Sequence, residues 1–232
     1  MKRKTWKAAL PYTLPVFMGY IFLGIAFGVL MVSRGFHPGW AILMSVFVFA
    51  GSMQFVAVDI LSGPFAPLTA GLMTLMVNAR HIFYGLSMLD RFKICGKLKP
   101  YMIFSLSDET YSLLCSVEPP EGADKRWFMF FIAAMDQLYW IAGTVIGSLA
   151  GSLITFDSTG IDFAMTALFI VIFVEQWEST KNHIPALLGL AVTFICLLIF
   201  GSDWFIIAAM AGIFVILSLM RGFMIKKEEA LQ

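Results

Sequence analysis

The sequence predicts an all-α, polytopic membrane protein with about seven transmembrane helices, and three observations carry that expectation. Apolar residues make up 59% of the chain and charged residues only 13%, roughly half the charge of a typical soluble domain. Mean hydropathy is +0.85, and several apolar runs reach the roughly 20 residues that a helix needs to cross a bilayer core. Turn signals punctuate these runs, and Trp6, Trp40, Trp127, Trp177 and Trp204 fall near their ends, where an aromatic belt belongs. The alternating apolar and polar pattern of a membrane barrel is absent.

In chain order the expected spans lie near 13–32, 39–60, 64–89, 127–154, 161–177, 184–201 and 203–220. The basic start M-K-R-K-T-W-K leads into the first span without a small-x-small cleavage pattern, so that span reads as an uncleaved anchor. The separators are S-R-G-F-H-P-G, S-G-P, E-P-P-E-G-A-D-K-R, F-D-S-T-G, K-N-H-I-P and G-S-D. The last is so short that the final two spans are expected to form a helical hairpin. A single membrane domain, 1–232, is the expectation, with halves near 13–89 and 127–220 joined by 90–126.

Those halves share a pattern. Tyr20–Ser33 and Tyr139–Ser152 both read Y-x3-G-x3-G-x-L-x2-S. Met44-Ser45 and Met165-Thr166 then open runs ending near Gln54 and Gln176. Repeated halves are a common way to build a transporter, and glycines four apart also allow close helix packing. Segment 101–117 carries Asp108 and Glu109 at its centre, and three placements suit it: at the interface, re-entrant, or crossing inside the bundle. With 101–117 crossing, the repeat would be parallel; with 101–117 not crossing, the preferred placement, the repeat is expected to be inverted and to contain a discontinuous helix. Charge conflicts with that topology. Lys2, Arg3, Lys4 and Lys7 argue for a cytoplasmic start, and the same count leaves Arg91, Lys93, Lys97 and Lys99 outside.

Polar residues then stand out by their depth. N-A-R-H-I-F-Y, Asn78 to Tyr84, interrupts an apolar run with an amide, a guanidinium, an imidazole and a phenol. Arg at a helix centre costs about 2.5–3.5 kcal/mol by insertion scales, so such a group usually faces a polar pathway. Two readings fit: Arg80 as a structural ion-pair member and His81 as a core histidine, or Arg80 receiving an anion while His81 titrates. Asn78, His81 and Tyr84, three apart, share a helical face. Asp108-Glu109 is the leading partner for Arg80, with at most one of the two carboxylates expected to face the bundle. Asp136 lies well inside the fourth span, as a hydrogen-bonding residue or as part of a proton or ammonium site. Asp59, Asp162 and Glu175 read as interfacial. F-A-G-S-M-Q-F, Phe49 to Phe55, invites a kink or unwound turn. There Gly51, Ser52 and Gln54 are either small-residue packing and interhelical glue or part of a binding site.

The composition and motifs argue against other classes. Formal net charge is +1, which gives no case for nucleic acid. Cys95, Cys115 and Cys196 show no metal spacing and read as free thiols. No hydrolase, metalloprotease or phosphate-loop motif occurs, so neither an enzyme nor a cofactor is expected.

With these stretches in view, the chain resembles the AzlC family of branched-chain amino-acid exporters, typified by the larger subunit of the bacterial L-valine exporter. The resemblance rests on F-A-G-S-M-Q-F (49–55), N-A-R-H-I-F-Y-G-L-S (78–87), S-D-E-T-Y (107–111) and D-F-A-M-T-A-L-F (162–169), in that order. It implies a permease subunit in the bacterial cytoplasmic membrane, exporting valine, leucine and isoleucine, and in some members methionine, in exchange for protons. It also implies a small membrane partner of the AzlD type. The residues set out for substrate are Gly51, Ser52, Gln54, Asn78, Arg80 and Tyr84, and those for proton coupling are His81, Asp108, Glu109 and Asp136. Their individual roles come from the physical reading. The alternative is a membrane channel or a non-transporting assembly protein; a channel would show a polar stripe along each span, and here the polar residues are clustered.

Overall fold

The structure is a computed structural model that describes residues 2–64, 66–153 and 182–229, with isolated positions between 154 and 181. Most of the expected span 161–177, with Asp162, Glu175 and Gln176, lies outside the described residues. Among the described residues the chain is helical throughout. Its elements are α1 (Lys2–Ser33), α2 (Pro38–Phe47), α3 (Gly51–Ser62), α4 (Pro67–Asn78), α5 (Arg80–Met88), a 3-10 helix (Arg91–Leu98), α6 (Lys99–Phe104), α7 (Asp108–Ser116), α8 (Lys125–Leu153) and α9 (Ile184–Glu229). Three stretches are long and apolar enough to cross a membrane on their own: Arg3–Ser33, Lys125–Leu153 and Ile184–Gly201. The chain divides into two compact units, Met1–Leu168 and Phe169–Gln232.

The first unit is framed by α1 and α8, and the repeated glycines are the reason they meet. A Cβ on Gly24 would lie 2.8 Å from the Trp140 carbonyl oxygen, and one on Gly28 would lie 2.5 Å from Ser148 N. Gly143 and Gly147 meet the backbone at Ile21 and Ile25 in the same way. Without side chains here the two backbones touch, and dispersion over that seam replaces the hydrophobic drive that lipid removes. The pairing also fixes direction. Thr13 bonds Tyr139 at 3.0 Å, Gly24 faces Gly143, and Gly151 faces Val29. Both numbers rise together, so α1 and α8 run parallel, contrary to the inverted relation expected of the two copies.

The reason is that 39–60 does not read through as one crossing. At 10 and 12 residues, α2 and α3 are about 15 and 18 Å long, each near half of a roughly 30 Å core. From the end of α1, α2 descends along α8, with Ser45 2.8 Å from Thr144. The chain turns at Val48–Ala50, where Phe49 takes φ 44°. A bulky residue held at positive φ costs about 1–3 kcal/mol, a strain typical of functional turns. α3 then climbs back: Gly51 lies under the Trp140 ring, Phe55 packs on Phe27, and Asp59 reaches Arg34 at 3.4 Å. α2–α3 is therefore a re-entrant hairpin, and Asp59 sits in an ion pair at its open end.

α4 and α5 behave differently. Ala79 between them keeps helical angles, so residues 67–88 form a rod about 33 Å long that ends with Met88 in a cluster with Ala9, Phe92, Cys95, Phe128 and Met129. That cluster places the 3-10 helix at the amino-terminal ends of α1 and α8. From there α6 enters and turns at Ser105–Ser107, and α7 returns. Arg91 bonds the Leu114 carbonyl, and Lys125 bonds Glu118 at 2.8 Å. The bond from Lys125 lowers the Glu118 pKa from its ordinary value. Segment 101–117 is thus a second re-entrant hairpin, entering from the opposite end to the first. The charge conflict disappears as well: Arg3, Lys4, Lys7, Arg91, Lys93, Lys97, Lys99, Lys125 and Arg126 all gather at one end, hereafter the basic end.

In the second unit α9 breaks at Gly201, whose φ of 67° suits glycine. A Cβ on Gly212 would lie 3.2 Å from Val192, and one on Gly189 would lie 4.0 Å from Ile213. The two halves fold back on each other as the hairpin expected at G-S-D.

The seam makes a direct prediction. Gly28→Leu forces side-chain atoms into the α8 backbone and is expected to cost about 3 kcal/mol or more, seen as loss of the monodisperse detergent-solubilised protein. Gly19→Leu, where a Cβ meets nothing within 4 Å, is expected to leave that peak unchanged.

Candidate functional site

The two hairpin tips meet the α4–α5 rod halfway along α1 and α8. The first tip is stabilised by Gln137, whose Nε2 donates to the Val46 carbonyl at 3.1 Å, and by paired amides of Val48 and Phe49 on the Met44 carbonyl. At the second, the Ser105 hydroxyl donates to the Tyr101 carbonyl at 2.8 Å, and Ser107 caps α7 by accepting from Thr110 N. Backbone that leaves helical geometry at membrane depth persists only where protein or a water cavity encloses it. Here protein encloses both tips, with Phe49, Ser105 and Leu106 buried.

Between the tips lies a cavity of about 370 Å³, at the lower end of the roughly 300–1,000 Å³ common for small-molecule sites. Val48, Phe49 and Ala50 line it from the first tip, Ile103, Phe104 and Leu106 from the second, and Asn78, His81, Ile82 and Gly85 from the rod. The walls are mostly apolar, and Asn78 and His81 supply the polar side chains.

Arg80 joins all three elements. Its Nη1 lies 3.0 Å from Asp108 Oδ2, and its Nη2 donates to Ser52 Oγ at 2.8 Å. Both charged side chains are about one-quarter exposed. Among the described residues, Arg80 Nε and Asp108 Oδ1 are buried without a hydrogen-bond partner. The expected pairing of Arg80 with the acidic dipeptide is found. The expectation that only one of those carboxylates turns inward is not: Glu109 Oε2 accepts from the Tyr20 hydroxyl at 2.6 Å. The first turn of α7 lies between the rod on one side and α1 on the other, so neighbouring residues pointing apart both meet the protein.

The remaining candidates are distributed around this centre. His81 Nδ1 lies 3.3 Å from the Asn78 carbonyl oxygen, and the His81 and Tyr84 rings are 5.7 Å apart, which fits the shared face. Tyr84 stacks on Tyr111 at 4.4 Å and does not line the cavity. Gln54 is fully buried and donates to Ser45 at 3.2 Å, which makes it interhelical glue between the two arms of the first hairpin. Asp136, also fully buried, accepts from Thr110 Oγ1 at 2.7 Å.

Tyr20, Ser107 and Thr110 are absent from the sequence-derived candidates. Tyr20 opens the repeated glycine pattern and reads there as packing alone, while Ser107 and Thr110 stand inside S-D-E-T-Y beside more conspicuous carboxylates. The cap spacing of Ser107 before an acidic first turn is the signal that could have found them.

Fold and site together define an all-helical membrane protein with a polar centre held between two re-entrant hairpins. Residues 15–154 match the family described as AzlC protein, and the chain belongs to the AzlC family. The branched-chain amino acid transport protein AzlC of Bacillus subtilis (strain 168) is 50% identical over 216 residues, which cover 93% of this chain and 85% of that protein. An uncharacterized membrane protein of Haemophilus influenzae is 42% identical, covering 92% of this chain and 88% of its own length. The inner membrane protein YgaZ of Escherichia coli is 26% identical over 73% of this chain and 72% of that protein. No solved structure matches.

A double-mutant cycle checks the central pair. Asp108→Asn and Arg80→Gln are each expected to lower unfolding stability in detergent. Together they lower it by less than the sum, with a coupling of about 1–3 kcal/mol. Strict additivity would assign the two groups to independent contacts.

Proposed function

We propose that this chain is the large permease subunit of a secondary transporter that exports valine, leucine and isoleucine, with methionine as a further substrate, in exchange for protons, together with a small AzlD-type membrane subunit. The basic end is taken as the cytoplasmic face of a bacterial inner membrane, in keeping with the positive-inside rule. The observation that carries the reading is the Arg80–Asp108 pair, which does not line the apolar cavity but is flanked in the chain by its lining residues Asn78, His81 and Leu106, with one buried donor and one buried acceptor unused. A zwitterion with an aliphatic tail needs that combination: a donor for its carboxylate, an acceptor for its ammonium, and apolar walls for its side chain.

Arg80 and the amides opening α3 at Gly51–Ser52 receive the carboxylate. No side chain caps that helix start, and helix amino termini favour anions. Asp108 receives the ammonium, and Phe49, Ile82, Ile103 and Phe104 hold the tail. Asn78 and His81 complete the polar edge. The name of the Bacillus subtilis relative supports branched-chain substrates. Opposed hairpins, each open to one face, supply the parts for alternating access.

Gly85 offers a selective test. It lines the cavity, and a Cβ there meets nothing within 4 Å, so Gly85→Leu fills the cavity without disturbing packing. Valine efflux from dipeptide-loaded cells carrying the small partner is expected to fall by about tenfold or more, with membrane abundance unchanged. Efflux at the wild-type rate would move the substrate elsewhere. Efflux that does not depend on this chain at all would remove the exporter reading.

A further inference from the structure

Glu109 and Asp136 are the ends of an unbroken chain of hydroxyl groups. Tyr20 Oη lies 2.6 Å from Glu109 Oε2 and 2.7 Å from Ser107 Oγ. Ser107 Oγ lies 3.0 Å from Thr110 Oγ1, which lies 2.7 Å from Asp136 Oδ2. Thr110 and Asp136 are fully buried and Tyr20 nearly so, whereas Ser107 and Glu109 are partly exposed. One end is therefore partly exposed and the other is sealed.

We propose that Tyr20, Ser107 and Thr110 form a proton wire that carries a single proton between Glu109 and Asp136. Each hydroxyl has one proton to give and accepts one from its neighbour. Tyr20 has two acceptors within reach and one proton, so it is the switch. In one orientation a protonated Glu109 donates to Tyr20, Tyr20 to Ser107, Ser107 to Thr110 and Thr110 to the Asp136 carboxylate. In the other, a protonated Asp136 donates to Thr110 and every bond reverses, ending with Tyr20 donating to the Glu109 carboxylate. Passage between them breaks one O–H bond and makes one at each link. The net result is one proton moved and one carboxylate charge exchanged.

Helix capping does not exhaust these groups. Ser107 accepts the Thr110 amide at 3.2 Å, which occupies one lone pair and leaves its proton and second lone pair to the wire. Among the described residues nearby, Asp108 Oδ2 and Arg80 pair with each other, Tyr101 bonds Gln137 Oε1, and Tyr139 bonds Thr13. Asp108 and Glu109 are consecutive in the first turn of α7, so the proposed ammonium acceptor and the outer end of the wire move as one body. The wire rests on the proton-coupled reading above and adds the route.

The test uses the chain with its small partner in proteoliposomes, reading valine accumulation driven by a pH gradient and valine–valine exchange without one. Thr110→Val and Tyr20→Phe each remove one link at nearly constant volume. Both are expected to lose gradient-driven accumulation by about tenfold or more while exchange persists, and Thr110→Ser is expected to restore it. Accumulation close to wild type in both link variants would overturn the wire and leave proton coupling standing. A wild-type protein indifferent to the gradient would overturn the coupled reading itself, and the wire with it. Should Thr110→Val lose exchange as well, Tyr20→Phe decides between these outcomes.

Discussion

A single guanidinium joins three parts of the chain at one point. Arg80 sits in the α4–α5 rod, donates to Ser52 in the first hairpin and pairs with Asp108 in the second. Each hairpin is shorter than a bilayer core is thick, and each tip frees backbone groups at a depth where lipid offers no partner. The tips are therefore stable only against something polar. The charge that is costly in an isolated span becomes, in this setting, the group that holds three elements in register. The ordinary objection to a buried ion pair, that desolvation consumes its attraction, is softened because both partners keep some exposure and Ser52 adds a hydrogen bond.

The rest of the unit divides into a rigid and an adaptable part. The glycine seam between α1 and α8 is backbone against backbone, with no side chains to rearrange. The hairpins are built of helices of about two or three turns, joined by strained or capped corners, and one of these holds Phe49 at positive φ. Under the transport reading, motion belongs to the corners while the seam serves as the fixed frame. The proposed proton route links the two, since Tyr20 and Asp136 sit on the frame and Ser107, Glu109 and Thr110 sit on a hairpin.

Much of this is legible in the sequence. The apolar runs, the polar interruptions, the pairing of Arg80 with the acidic dipeptide and the final hairpin at Gly201 all follow from composition and local spacing. Direction does not. An apolar stretch such as 39–60 has the same hydropathy whether it crosses or turns back at Phe49, and only long-range contacts such as Asp59 with Arg34 distinguish the two. Taking it as a crossing produces both the inverted repeat and the misplaced basic residues. Tyr20 is hidden for a different reason: a phenol in a glycine-rich helix is usually packing, and its partners lie some ninety residues away in the chain.

The opposed hairpins are the central claim, and thiol accessibility in intact cells measures them most directly. With Cys95, Cys115 and Cys196 replaced by serine, single cysteines at Ser62 and at Lys4 are probed by a membrane-impermeant maleimide, from outside and after permeabilisation. The two-hairpin arrangement predicts that Ser62→Cys reacts from the face opposite to Lys4→Cys, because α3 returns to the end at which α2 began. Reaction of both from the same face would mean that 39–60 crosses, and would contradict the arrangement on which the site depends.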